Sequence, residues 1–109
     1  MEIREIFLEA AKLMEFRHSK WMCICVKFAL CPNKKPYNVE IPENFADCGF
    51  NRENYTKFIK NNYPDLEKYI LFSFNEYDFP WIDSQKDLPE FELVIKSKIE
   101  FLKYLANGQ

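Results

Sequence analysis

Residues 2–16, EIREIFLEAAKLMEF, place Ile3, Ile6, Phe7, Ala10, Leu13 and Met14 at spacings of three and four, with Glu2, Glu5, Glu9, Lys12 and Glu15 on the other side. That period predicts an amphipathic α-helix. The C-terminal stretch EFELVIKSKIEFLKYL repeats the pattern, with Phe91, Val94, Ile95, Ile99, Leu102 and Leu105 on one stripe and Asn107-Gly108 as a stop. A third helix is expected over RENYTKFIKNNY, with Asn51 as its N-cap and Tyr55, Phe58, Ile59 and Asn62 in register. Pro64 then ends that helix or starts the next one.

The segment WMCICVKFALC, residues 21–31, shows no such alternation of sides. As a strand, Lys20 and Lys27 would face opposite ways, being an odd number apart. As a helix, seven residues is nearly two turns, which gives the segment one narrow wet edge on an apolar rod. Helix is favoured over 19–31, with Ser19 as N-cap and Pro32 as stop. On it Cys23 and Cys31 lie near the lysine line and Cys25 points away from it. No two of these three could then share a tetrahedral ion or a disulfide. The cysteines are expected to be reduced, metal-free core residues, since cysteine packs as a small hydrophobe.

Between these elements the pattern is less decisive. PNKKPYNVEIPENFADCG carries three prolines and a glycine, and the alternation of Tyr37, Val39 and Ile41 allows a short strand. DLEKYILFSF reads as a helix from Leu66, Tyr69 and Ile70, or as a strand from YILFSF. The expected fold is a mainly α, compact single domain over 1–109 with four or five helices. Its alternative is α+β, with a two-stranded sheet from 37–41 and 69–74.

Composition narrows the function classes. A 48% hydrophobic and 17% aromatic chain of 109 residues can build one core, each buried ring removing roughly 150–250 Å² from water. The start MEIREIF has acidic residues where a secretory signal is basic, and the longest apolar run, Trp21–Val26, is far too short to span a membrane. A cytoplasmic, membrane-free protein is expected. The net charge of −2 argues against a non-specific nucleic-acid binder, which normally carries a basic excess. The charge is uneven, however. Residues 1–36 carry +3, and Arg17, Lys20, Lys27, Lys34 and Lys35 are the cations a nucleic-acid-binding accessory protein would use.

No phosphate-cradling glycine loop, nucleophile elbow or two-histidine metal motif is present, and no cofactor is expected. His18 is the only histidine. Cys48, before Gly49 and near an expected helix start where a thiolate would be favoured, is the one conceivable nucleophile. Nothing in the sequence joins it to His18, so a non-enzymatic role is expected. By contrast, residues 73–92 hold Lys86 against Glu76, Asp78, Asp83, Asp87, Glu90 and Glu92, a net −5, with Phe74, Tyr77, Phe79 and Trp81 clustered around Pro80. An irregular segment with large rings and one sign of charge has the makings of a binding surface. Tyr77, Asp78, Trp81, Asp83 and Asp87 are the candidate contacts for a basic protein partner, and burial of Trp81 and Phe79 in the core is the competing reading.

MCICVKFAL, DFPW and KIEFLKYL together resemble small orphan proteins of bacteriophages, which often show a Leu-Cys-x-Ala-Leu helix, a Trp-rich Pro turn and a closing Arg-Ile-x-Phe-Leu helix. The resemblance covers roughly half the chain. Lys98 stands where arginine is usual there, and the glycine that often precedes the cysteine motif is absent. The resemblance implies an accessory role rather than a reaction. Small size, the lack of a catalytic constellation and the acidic aromatic segment lead to the expectation of a protein-binding inhibitor of a bacterial defence system, anti-CRISPR-like, with a basic partner such as a host nuclease complex.

Overall fold

A computed structural model describes residues 2–19, 21–69 and 90–108. Over these the chain is mainly helical, as expected. The α-helices are α1 (Ile3–Arg17), α2 (Met22–Leu30), α3 (Glu43–Asp47), α4 (Arg52–Asn62) and α5 (Glu90–Ala106), with 3₁₀ segments at Pro36–Asn38 and Pro64–Tyr69. No strand occurs among the described residues. Of the alternative sheet's 37–41 strand, Tyr37 and Asn38 instead lie in the 3₁₀ turn Pro36–Asn38, closed by the Asn38 N–H on the Lys35 carbonyl and the Val39 N–H on the Pro36 carbonyl. Pro36, with its fixed φ and missing N–H, suits the start of such a turn better than a paired strand. Tyr69 ends the second 3₁₀ segment, and residues 70–74 lie outside the described residues.

Helix α1 forms where the periodicity places it and buries Ile6, Phe7, Ala10, Ala11 and Met14. The two alanines let neighbouring backbones come close, and α1 packs chiefly against α5 and α2. The helix ends at His18, which adopts the left-handed region at φ 52°, ψ 43°. Both the His18 and the Ser19 N–H then point at the Met14 carbonyl, satisfying an orphan acceptor of the last turn.

Two expectations for α2 change. The helix starts at Met22 rather than after Ser19, because the Ser19 hydroxyl accepts the Trp21 N–H at 3.1 Å and holds a turn there instead of capping. The lysine edge is not wet either: Lys27 is only 8% exposed, and Cys23 beside it 5%. The half-exposed edge runs through Ile24, Phe28 and Cys31. The segment is core, as expected, with Cys25 2% exposed. Its wet direction is rotated because α1 covers one flank while Arg17 lies over the Phe28 ring at 4.7 Å. Lys27 can be accommodated because its four-carbon stem packs as apolar surface.

Helix α3 was not foreseen in the proline-rich stretch. Its Phe45 is buried and meets Phe7 edge-on at 5.5 Å, with Phe50 on the same ring at 5.7 Å. Gly49, at φ 104°, turns the chain so that the Phe50 N–H reaches the Phe45 carbonyl. Asn51 then caps α4 as its sequence predicts: its Oδ1 accepts the Asn54 N–H at 2.8 Å, and its Nδ2 donates to the Ala46 carbonyl. Helix α5 is buried more widely than one stripe. Val94, Ile95, Leu102 and Leu105 are inside as expected, Ile99 is only half-buried, and Ser97, Lys98, Phe101 and Ala106 join the core. Phe101 packs edge-on to Tyr55 at 5.1 Å and against Phe58 at 5.5 Å, which places α4 over α5's second side.

Candidate protein-binding surface

Tyr77, Asp78, Trp81, Asp83 and Asp87 all lie outside the described residues, as do Phe79 and the rest of 70–89. The described elements on either side of it are the 3₁₀ segment Pro64–Tyr69, which packs on α4, and α5, which starts at Glu90. Glu92, the last acid of the −5 block, is on the first turn of α5 and 74% exposed, and its Oε1 lies 2.8 Å from His18 Nε2. The left-handed cap at His18 directs its ring across to α5, so the root of the acidic segment is joined to the end of α1. No sequence signal links residues 74 positions apart; only the packing of α1 on α5 brings them together.

A shallow cleft of about 340 Å³ lies along this α1–α5 seam, lined by Glu15, His18, Glu92, Lys96 and Lys103 over Ile99. A second, of about 560 Å³, lies at the other end of α1, where Arg4 and Phe7 meet Asp47, Cys48 and Leu105. His18 and Cys48 therefore sit toward opposite ends of the 15-residue α1, a helix about 22 Å long. They form no nucleophile–base pair. Cys48 is the C-cap residue of the five-residue α3 and stands three residues before Asn51, the N-cap of α4. All four cysteines are thiols outside any disulfide. Among the described residues, no three His, Cys, Asp or Glu side chains are grouped so as to hold a metal ion, and no helix is long and apolar enough to cross a membrane.

Of the five cations offered for nucleic acid, Lys27 is withdrawn into the core, Arg17 lies over Phe28, and Lys34 and Lys35 are exposed in the turn after α2. Lys20 lies outside the described residues. What sequence reasoning missed is the outer face of α1. There Phe16 is 88% exposed, the most exposed large apolar side chain among the described residues. Its signal was present, since Phe16 falls off the buried stripe that Ile6, Ala10 and Met14 define. No family model, curated protein or solved structure matches this chain.

Proposed function

We propose that this chain is a non-enzymatic accessory module that binds a basic protein surface, acting as a phage-type inhibitor of a bacterial defence system in the manner of an anti-CRISPR. The observation that carries the reading is the net −5 of residues 73–92 combined with Phe74, Tyr77, Phe79 and Trp81. Acids of one sign steer a basic partner in, and aromatic rings supply the desolvated anchor that charge alone cannot. A nucleic-acid-binding groove on a defence nuclease is one such basic surface, so Asp78, Asp83 and Asp87 would imitate a phosphate backbone while Tyr77 and Trp81 bury area. Two features of the helical framework support a binding role over the alternatives. Its one histidine and its exposed cysteine stand apart, and the basic first third has Lys27 sequestered.

The test is association with a guide-loaded CRISPR nuclease, and inhibition of its DNA cleavage, by the wild type, Asp78→Lys/Asp83→Lys and Trp81→Ala, with the melting temperature of each as control. The charge reversals should slow association and the Trp81 truncation should speed dissociation. If the reversals leave binding untouched and Trp81→Ala loses melting temperature in step with affinity, the segment is structural. Sub-micromolar DNA binding at ~150 mM salt, lost in Lys34→Ala/Lys35→Ala, would establish the nucleic-acid alternative in its place.

A further inference from the structure

The proposed interface accounts for the acidic segment but not for the outer face of α1. Glu5, Leu8, Glu9, Lys12, Glu15 and Phe16 are all exposed, and at 100° per residue they fall within about 120° of arc on the side opposite the core. Three carboxylates and one ammonium there surround two apolar side chains, and one of these, Phe16, stands almost wholly in water. A phenyl ring held in water on a well-packed helix has no folding role that its contacts reveal. It does match the chemistry of residues 73–92, acids around an aromatic anchor. Phe16 is also two residues from His18, whose Nε2 lies 2.8 Å from Oε1 of Glu92, the last acid of that block.

We infer that the outer face of α1, with Phe16 as anchor and Glu5, Glu9 and Glu15 as its charged rim, is a second docking element for the same basic protein partner. The inference rests on the reading proposed above and extends it from one segment to a two-part surface. Its occupant is a basic surface that offers an apolar recess. The face's excess of negative charge complements such a surface and repels another acidic one.

The probe is an amphipathic helical peptide of lysine and leucine, titrated into the full chain and followed by amide chemical shifts, with polylysine as the charge-only control. Shifts should concentrate on residues 5, 8, 9, 12, 15 and 16, and Phe16→Ala should weaken the peptide by about tenfold or more without changing the melting temperature. Polylysine should bind more weakly and be indifferent to Phe16→Ala. Shifts spread evenly over every exposed acid, or peptide affinity unchanged by Phe16→Ala, would overturn the inference. So would sedimentation of the chain alone as a dimer that Phe16→Ala abolishes, since the face would then serve a second copy. Against the nuclease, Phe16→Ala and Asp78→Lys/Asp83→Lys separate the two readings. Loss only with the aspartate reversals leaves the acidic segment as the interface and removes α1. Loss only with Phe16→Ala keeps the α1 face and removes the segment.

Discussion

Helices α1 and α5 carry the same kind of sequence pattern and pack against each other, yet they end up differently wetted. On α1 the polar positions stay in water and even an aromatic, Phe16, remains outside. On α5 a serine and a lysine, Ser97 and Lys98, are fully buried, and the Ser97 hydroxyl is satisfied by donating to the Val94 carbonyl at 2.8 Å. The difference lies in neighbours. Helix α1 is covered by α2 and α5 on adjoining flanks, which leaves a continuous outer face. Helix α5 has α1 on one side and the α4 aromatics Tyr55 and Phe58 on the other. A helix with walls on two sides buries positions that its own periodicity would leave in solvent.

Substitutions can break this comparison in order of size. The largest effect should come from Phe101→Ala on α5, which removes a fully buried ring touching Tyr55 and Phe58 and should cost about 3–5 kcal/mol in urea denaturation. Lys98→Ala should follow at about 3 kcal/mol, since it removes a fully buried side chain and leaves a void, while Lys96→Ala, two residues away and exposed, should change little. Equal effects at the two lysines would mean that α5 is no more enclosed than α1.

Cys23→Ser on α2 should cost about 1–3 kcal/mol, because a hydroxyl would replace a thiol inside the core, and Cys25→Ser should match it. A mild Cys23→Ser beside a severe Cys25→Ser would restore a wet edge at Lys27 and rotate α2 back to the orientation its lysine spacing suggested. Asn51→Ala should cost about 1 kcal/mol; it loosens the start of α4, and with it the second wall over α5. The smallest effect belongs to Phe16→Ala, within about 0.5 kcal/mol. A larger loss would show that the outer face of α1 contributes to folding, which would also remove its availability for a partner.

The extents of α1, α4 and α5 were legible because each sets three or more apolar residues at helical spacing between readable ends. Asn51 is the clearest such end, a side-chain acceptor three residues before the N–H that it caps. Helix α3 was not legible. Five residues give too little periodicity, and Phe45 is fixed by Phe7 and Phe50 from elsewhere in the chain. Of the candidate site, the sequence supplied the charge and the rings of 73–92. Its root could not be read, because the His18–Glu92 contact exists only through packing.

The sequence by itself determined that this is a mainly helical protein, that the cysteine-rich segment lies inside, and that its acids and bases are segregated along the chain. These are local properties, set by spacing and side-chain chemistry. The tertiary structure alone decided which way each helix turns its faces. A periodic stripe defines one buried direction, whereas the number of neighbouring walls sets how much of the circumference follows it inside. That is why Lys27 and Lys98 are enclosed while Phe16 faces water, and why the thiol of Cys48 and the imidazole of His18 are kept at opposite ends of α1.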